Sequence, residues 1–330
     1  MHNVGVAGVW HVHAQDYVAE LLGREDVEIR GVWDPDAAAA SAFAEPRGLT
    51  TVPRLDCLLD DATVDALVVT TATADHVDVI GQALRAGKHV FSEKVLAPDP
   101  SDAQALEELA ARTGRVLMVS FQRLAEPWVP TLREVVASGV LGRITSSRIR
   151  YQHAGAVDGW LPDGFLSRAQ AGGGAVIDLG VHGFYLSRLF HGSFPSTVTC
   201  RVSHLTGREV EDNAIVVLEY PDGSASVLET SLTAGPDDAR WAEVHGTKGT
   251  ALIDPRDPTV VVRTTDGAAW EQRPLLPPWP TPLEHFLSAI DEDTTAEDNR
   301  TESIRLVSLI TAAYRSAGLG AAVDVTDPAA

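Results

Sequence analysis

Strand-like and helix-like segments alternate along the early part of the chain, and this alternation is the feature that most limits the possible folds. The run DALVVTT is apolar until its closing threonines, as is typical of a central parallel strand. The run ADHVDVIGQALRAG after it has the residue spacing of a helix that ends at Gly87. Repetition of this order predicts a parallel sheet that is covered by helices on both faces.

The same pattern predicts further strands and helices in this region. The predicted strands are VGVAG, VEIRGVW, DALVVTT, HVFSE and RVLMVSF, and the predicted helices between them are HAQDYVAELLG, DPDAAAASAFAE, ADHVDVIGQALRAG and SDAQALEELAARTG. Ser101 and Gln104 have the spacing of a capping box at the start of the last helix. Because crossovers between parallel strands are right-handed, these elements predict a doubly wound sheet of the Rossmann type.

The pattern changes after Phe121. A helix is predicted over roughly 127–138, the strand ITSSRIRYQHA follows, and the glycine-rich turn AGGGA leads into a helix that ends near Phe190. Strands without helices between them come next, at STVTCRVSHL, NAIVVLEY, SASVLETSLT, RWAEVHG, TALID and TVVVRTT. The turns PDG at 221–223 and DG at 266–267 suit hairpins between such strands.

Helical patterns at 281–291 and 299–317 complete the chain. Consecutive strands joined by hairpin turns predict a second domain of the α+β class, with an open and mostly antiparallel sheet. We therefore expect a Rossmann domain over 1–121, followed by a C-terminal α/β domain over 122–330.

Composition excludes several classes of partner. The formal net charge of −20 repels phosphate backbones and anionic lipid, so we expect neither nucleic acid nor a membrane as a partner. The apolar runs are too short to span a bilayer, and no signal peptide precedes the first strand. Cys57 and Cys200 lie far apart and outside any CxxC motif, which fits a reducing cytoplasm and indicates no disulfide framework or zinc cage.

The turn after the first strand departs from the dinucleotide fingerprint G-x-G-x-x-G. Gly8 is present, but Trp10 and His13 occupy the positions of the next two glycines. Asp34 ends the second strand, where an acid accepts hydrogen bonds from the adenosine ribose and repels a 2′-phosphate. This residue favours NAD over NADP as the cofactor. The alternative is that Asp34 caps a helix that begins at Pro35.

Two more segments carry candidate chemistry. Lys94 follows a strand at the carboxyl edge of the sheet, with Glu93 beside it as a potential ion partner. Asp178 and His182 are four residues apart on one face of a predicted helix, where a carboxylate orients an imidazole for proton transfer. The alternatives are a solvated lysine and a structural Asp–His pair. Neither these residues nor HVH at 11–13 form a recognised metal cage, so we assign no metal site.

Taken together, these stretches resemble the Gfo/Idh/MocA oxidoreductases, a family named for glucose–fructose oxidoreductase, inositol dehydrogenase and a rhizopine-catabolism protein. The resemblance runs almost from end to end of the chain. It is carried by VGVAG, DALVVTTATADH, AGKHVFSEKVLA, FQRLAEP, SGVLGRITSSRIRY, AGGGAVIDLGVH, EVHGTKGTALID and RLVSLITAAYRSA. The joint occurrence of GKHVFSEK and GGGAVIDLGVH is its most specific part.

The resemblance implies roles for individual residues. Lys94 matches the lysine of the E-K-P motif near the nicotinamide, and Asp178 and His182 match the D-x-G-x-H pair with His182 as acid/base. Thr71, Ala72 and His76 match the T-P-x-x-x-H loop over the cofactor, and Gln122 matches a polar position near the nicotinamide. The complete set of expected cofactor contacts is Gly8, Val9, Trp10, His11, Asp34, Thr70, Thr71, Ala72, His76, Glu93, Lys94 and Gln122.

The chain departs from the family pattern at three places. Val95 replaces the proline after Lys94, Ala72 replaces a second proline, and Trp10 and His13 replace glycines of the phosphate turn. Because Asp34, Lys94, Asp178 and His182 are all retained, we interpret the turn as a variant that still binds the cofactor.

The resemblance implies an NAD(H)-dependent oxidoreductase that acts on a secondary hydroxyl of a sugar, inositol or related polyol, assembled as a homodimer or homotetramer. The expected substrate contacts are Lys94, Tyr151, His153, Trp160, Arg168, Asp178 and His182. An aromatic face such as Trp160 suits the C–H face of a pyranose, although Tyr151 and Trp160 could equally be packing residues. Two alternatives stay open: an NAD-retaining lyase or hydrolase that acts through transient oxidation, and a non-catalytic sugar or nucleotide sensor.

Overall fold

The structure is a computed structural model of the chain. It describes residues 1–235, 241–253, 259–267 and 269–330. The chain divides into two compact units, the first formed by 1–120 and 282–307, the second by 121–281 and 308–330. Arg240 and Asp254, the end residues of two predicted strands, lie outside the described residues.

The first unit contains a five-stranded sheet in the order β2-β1-β3-β4-β5, in which all neighbours are parallel. Its strands are β1 (His2–Ala7), β2 (Val27–Trp33), β3 (Ala66–Val69), β4 (His89–Ser92) and β5 (Leu117–Val119). Strand β3 is buried along its whole length, as its apolar run predicts. The predicted Rossmann-type sheet is thereby confirmed.

Helices connect these strands. They are α1 (Ala14–Leu22), α2 (Ala37–Ala44), α3 (Asp56–Leu59), α4 (His76–Arg85) and α5 (Pro100–Thr113), with 3₁₀ turns at Glu45–Arg47 and Thr73–Asp75. The predicted capping box of α5 is wrong. Asp99 is the N-cap, and its carboxylate accepts the Ser101 main-chain N–H at 2.8 Å. The Gln104 side chain faces Glu108 instead. Asp99 precedes Pro100, which suits the first helical position because it has no N–H to satisfy.

The second unit contains a nine-stranded sheet in the order β13-β12-β11-β10-β6-β9-β8-β7-β14. Its strands are β6 (Ile144–Gln152), β7 (Thr197–Ser203), β8 (Asn213–Glu219), β9 (Ala225–Ser231), β10 (Trp241–Gly246), β11 (Gly249–Ile253), β12 (Val260–Thr264), β13 (Glu271–Arg273) and β14 (Val323–Asp324). All described neighbours are antiparallel except β6 and β9. The predicted, mostly antiparallel sheet is confirmed.

The remaining helices belong to the second part of the chain. They are α6 (Trp128–Ala137), α7 (Gly155–Asp158), α8 (Arg168–Ala171), α9 (Val181–His191), α10 (Pro282–Asp291) and α11 (Glu297–Leu319), with 3₁₀ turns at Gln122–Ala125 and Asp163–Leu166. The helix predicted after AGGGA begins as a π-helical turn, Val176–Gly180, before α9. Helix α9 packs on β6 and β9, where Gly183 lies against Leu228.

Helix α10 packs in the core of the first unit, although the sequence analysis assigned its residues to the second domain. Leu283, Phe286 and Leu287 lie in one buried cluster with Val4 and Phe91. The amphipathic pattern of α10 shows that one face is buried, but the pattern does not identify the sheet that covers it. This packing explains why 282–307 joins the first unit.

In the part of the chain that the structure describes, no helix combines the length and the apolar character that crossing a bilayer requires.

Candidate active site

In the first unit, Gly8 begins a tight turn directly after β1. Its φ is +92°, and a Cβ atom at this position would lie 2.4 Å from the main-chain nitrogen of Thr71. The Thr70 hydroxyl donates to the Gly8 carbonyl at 2.6 Å, and the His11 N–H donates to the Thr70 carbonyl at 3.1 Å. Only glycine therefore fits at position 8, because the turn contacts the loop after β3. The structure brings together the predicted residues Gly8, Thr70 and Thr71.

Asp34 fixes the same turn from the end of β2. One carboxylate oxygen accepts the Val9 N–H at 2.7 Å, and the other accepts the Asp36 N–H at 2.8 Å. The proposed capping role of Asp34 is wrong, because α2 begins at Ala37 and its N-cap is Asp36. Asp34 is thus a buried acid attached to the glycine turn, in keeping with a contact to the adenosine ribose.

Glu93 directly follows β4, is fully buried and has several polar partners. His13 Nδ1 lies 2.6 Å from its Oε1, His11 Nδ1 lies 3.4 Å from the same oxygen, and the Tyr17 hydroxyl donates to it at 3.0 Å. Burial raises the pKa of Glu93, but its interactions with His11 and His13 outweigh burial and hold that pKa well below its usual range. The two imidazoles are thus partners of Glu93 in addition to Lys94.

Lys94 and His76 are joined through the main chain of Val95. The Lys94 side chain is buried. The main-chain N–H of Lys94 donates to the Glu93 carboxylate, and the Lys94–Val95 peptide bond is cis. His76 is buried, with Nδ1 2.7 Å from the Val95 carbonyl and Nε2 3.3 Å from the Thr71 carbonyl. Burial lowers the pKa of His76. An imidazole with a single N–H donates to only one of these two carbonyls. His76 therefore lies between the Thr71 loop and the Val95 loop, and its expected contact with the cofactor stays a prediction.

In the second unit, His182 is buried and its ring orientation is set by an aromatic residue. His182 Nδ1 lies 2.8 Å from the Tyr185 hydroxyl, and the Tyr151 ring centre lies 5.1 Å from the imidazole. Asp178, on the π-helical turn, has Oδ2 3.9 Å from His153 Nε2. Because the His153 Nδ1 atom accepts the Gly155 N–H, Nε2 carries the proton that faces Asp178. Asp178 therefore lies near His153, and it also precedes His182 by four residues.

A polar network that the sequence pattern did not predict lies next to these residues. The Arg123 N–H donates to the Tyr185 hydroxyl at 3.2 Å, and its guanidinium pairs with Glu126 at 3.2 Å. Glu126 also accepts from the Trp128 indole at 2.6 Å and from the Tyr151 hydroxyl at 3.4 Å. Tyr151 is therefore both a packing and a polar residue. The signal was available in FQRLAEP, where charged residues follow the last parallel strand.

Other predicted residues of the second unit differ in their placement. Within the described residues, the buried Gln122 Oε1 atom has no hydrogen-bond partner. Trp160 is half exposed, and its ring centre lies 4.6 Å from that of His153. Arg168 is exposed, and its guanidinium donates to the Glu209 carbonyl at 3.1 Å. Gln122 therefore has a buried polar atom without a partner among the described residues, Trp160 has an exposed ring, and the Arg168 guanidinium is hydrogen-bonded to Glu209.

A buried carboxylate explains the glycine run before the π-helical turn. Glu211 Oε1 accepts the Gly174 N–H at 3.0 Å, the Val176 N–H at 3.0 Å and the Tyr314 hydroxyl at 2.8 Å. A Cβ on Gly174 would lie 1.9 Å from the Glu211 carbonyl oxygen, and one on Gly173 would lie 1.9 Å from the Tyr314 oxygen. Glu211 therefore fixes the segment that carries Asp178. Sequence reasoning missed it because EDN at 211–213 matches no catalytic motif.

Comparison with known proteins shows similarity along both units. Residues 2–121 match the family model described as oxidoreductase family, NAD-binding Rossmann fold, and residues 129–252 match the one described as GFO/IDH/MocA C-terminal domain. The chain is 26% identical to the inositol 2-dehydrogenase of Rhizobium meliloti (strain 1021), over 95% of each protein. It is 27% identical to the D-xylose 1-dehydrogenase (NADP(+)) 2 of Haloferax volcanii, over 97% of this chain and 99% of that protein.

Several solved structures are similar over nearly the whole chain. The crystal structure of GenD2 from gentamicin A biosynthesis in complex with NAD superimposes with a TM-score of 0.85 at 27% identity. The match covers 98% of this chain and 96% of the other.

Proposed function

Because the chain belongs to the Gfo/Idh/MocA oxidoreductase family, we propose that it is an NAD(H)-dependent dehydrogenase that interconverts a secondary alcohol and a carbonyl on a sugar, inositol or related polyol. Relatives named as inositol and xylose dehydrogenases support this substrate class. The observation that carries the proposal is the presence, in one chain, of the glycine turn fixed by Asp34 and the buried His182 that follows Asp178.

The residues of the first unit fit a dinucleotide. Gly8 leaves room for close approach of the backbone, and α1 begins just after the turn, so its N-terminus favours a pyrophosphate. Among the described residues, the buried Thr71 Oγ1 atom has no hydrogen-bond partner, which leaves a polar atom available to the ligand. We assign the ribose hydroxyls to Asp34, whose negative charge disfavours a 2′-phosphate and so favours NAD over NADP.

NAD supplies the hydride acceptor or donor when it is bound. The side chains of the chain have to move the hydroxyl proton and stabilise the charge that develops on oxygen. We assign proton exchange to His182 Nε2, the ring nitrogen that Tyr185 does not occupy, with Asp178 favouring the imidazolium. We assign Lys94 to the substrate oxygen, where its ammonium stabilises alkoxide character.

Three residues are proposed to contact the sugar. Tyr151 packs against the His182 ring, His153 approaches Asp178, and Trp160 presents a half-exposed ring next to His153. This set combines an aromatic surface with polar groups, which suits the C–H face and the hydroxyls of a pyranose or cyclitol.

The proposal is tested by a screen of polyols, inositols and glycosides with NAD⁺ and NADP⁺, in which the absorbance of the reduced nicotinamide is followed. On the best substrate, His182→Ala and Lys94→Gln are expected to lower kcat by about 10²-fold or more, because each removes a group that acts on the reacting oxygen. NADH binding, measured by fluorescence, is expected to persist in both variants. His285→Ala and Lys248→Gln are matched controls, because both residues are exposed and lie outside the proposed site.

Wild-type turnover in both site variants would refute the assignment. Tightly held NAD without net cofactor turnover would replace it by the NAD-retaining lyase or hydrolase. Absence of NADH and NADPH binding would favour the sensor. A homodimer or homotetramer stays a prediction, which light scattering on the purified protein would test.

A further inference from the structure

The first unit contains a cluster of metal-ligating side chains to which the proposed reaction assigns no step. His11 and His13 come from the glycine turn, and Glu93 comes from the end of β4. One ligand atom from each residue lies within 4.8 Å of the other two. Glu93 is fully buried, His11 is 4% exposed and His13 is partly buried. The cluster therefore differs from the solvated acidic groups that are common on protein surfaces.

We propose that His11, His13 and Glu93 form a binding site for one divalent transition-metal ion such as Zn²⁺. Zinc bonds of about 2.0–2.1 Å to nitrogen and carboxylate oxygen place neighbouring tetrahedral ligands about 3.3 Å apart. The distance from His11 Nδ1 to Glu93 Oε1 is 3.4 Å, which is close to this value. The shorter 2.6 Å contact between His13 Nδ1 and the same oxygen is a hydrogen bond whose proton the metal would replace.

The arrangement of lone pairs favours a cation in the cluster. The His13 N–H donates to His11 Nδ1 at 3.2 Å, so this nitrogen presents a lone pair and not a proton. The same nitrogen lies 3.4 Å from the anionic oxygen of Glu93. A metal ion bound at this nitrogen would use the lone pair that now accepts the His13 N–H, and it would place one bond to His11 and one to Glu93 between the two residues.

The surroundings hold the three ligands in place. The Tyr17 hydroxyl lies 3.0 Å from Glu93 Oε1 and 2.7 Å from the Ser120 Oγ atom, and the Lys94 N–H donates to the other Glu93 oxygen. The His11 main chain is tied to Thr70. Hydrogen bonds of this kind orient metal ligands and raise metal affinity.

The donor set selects the class of metal. Two imidazole nitrogens and one carboxylate oxygen suit Zn²⁺, Co²⁺ and Ni²⁺, whereas Mg²⁺ and Ca²⁺ prefer oxygen ligands throughout. Three protein ligands leave a fourth tetrahedral position for water or another small ligand. The acidic chain, with its net charge of −20, also raises the local concentration of cations.

The test uses the full chain without an affinity tag, freed of metal by chelator and dialysis. Isothermal titration with ZnCl₂ is expected to show one tight site per chain. Titration with CoCl₂ is expected to produce the visible absorption bands of tetrahedral cobalt. His13→Gln and Glu93→Gln are each expected to weaken the affinity at least tenfold and to abolish these bands, and Tyr17→Phe to weaken it about tenfold through the lost hydrogen bond.

His285→Gln is the matched control, because this exposed histidine of α10 lies outside the cluster and should leave the affinity unchanged. Circular dichroism of each variant checks that the chain folds, and the three variants are independent, so one that fails to fold leaves the others informative. Absence of a one-to-one site, or equal affinity in wild type, His13→Gln and Tyr17→Phe, would overturn the proposal and leave a hydrogen-bonded network. The titration uses neither cofactor nor substrate, so its result is separate from that of the proposed dehydrogenase.

Discussion

The two glycine segments of this protein differ in how many glycines they contain. The turn at 8–13 keeps only its first glycine, and histidine and tryptophan occupy the other fingerprint positions. The run at 172–174 keeps three glycines in a row. In both segments, the glycines that remain include those whose Cβ would collide with main-chain atoms: Gly8 against Thr71 and Gly174 against Glu211.

The comparison shows which glycines of a motif are structurally required. A glycine that contacts main-chain atoms has no room for a side chain, because backbone cannot rotate away as a side chain can. His13 in the first turn instead directs its ring to Glu93. A sequence motif therefore shows where glycines occur. Contacts with distant segments determine which of these glycines are indispensable.

The largest effect is expected from Gly174→Ala. The new Cβ would lie 1.9 Å from the Glu211 carbonyl oxygen, so the glycine run has to move away from its anchor. We expect the free energy of unfolding to fall by about 3 kcal/mol or more, as in severe overpacking. Urea titration followed by circular dichroism measures the loss. If the variant is as stable as the wild type, contact with main-chain atoms does not make a glycine indispensable.

Gly8→Ala is expected to have the next largest effect. Its φ of +92° is unfavourable for alanine, and the Cβ would lie 2.4 Å from the Thr71 nitrogen. We expect a loss of about 2 kcal/mol in the free energy of unfolding. NADH affinity is expected to fall at least tenfold, because the turn has to shift. If fluorescence titration shows unchanged NADH affinity, the turn does not hold the cofactor.

The substitution Glu211→Gln tests the hydrogen bonds that hold the glycine run, without a larger side chain. The carboxylate accepts two main-chain N–H groups and the Tyr314 hydroxyl, and hydrogen bonds to a charged acceptor are stronger than those to an amide. We expect the free energy of unfolding to fall by about 1 kcal/mol. Glu219→Gln, at an exposed position on β8, is the control. Equal stability of Glu211→Gln and this control would mean that the glycine run is held by packing alone.

The smallest effect, of opposite sign, is expected from Gly318→Ala. This residue lies in α11, and a Cβ there would have no neighbouring atom within 4 Å among the described residues. Alanine is the better helix former, so we expect an increase of about 0.5–1 kcal/mol in the free energy of unfolding. Thermal unfolding measures it. A loss of stability would show that open space alone does not identify a dispensable glycine.

The sequence predicted local structure well where a periodic pattern was sufficient. The parallel strands, the antiparallel strands and most helices lie where hydrophobic spacing places them. The errors are also local in origin. Ser101 and Asp99 are both good caps, and only the geometry before Pro100 selects Asp99. The π-helical turn at 176–180 was missed because a helical pattern does not distinguish i+4 from i+5 hydrogen bonding.

The sequence by itself determined the order of strands and helices, the glycine turn and the acid at position 34, because each depends on residues close together in the chain. Only the tertiary structure decided that Glu93 meets two histidines, that Glu211 anchors the glycine run and that α10 packs with the first sheet. Hydrophobic periodicity specifies which face of an element is buried. It does not specify which distant residue will lie against that face, because that depends on how whole elements pack together.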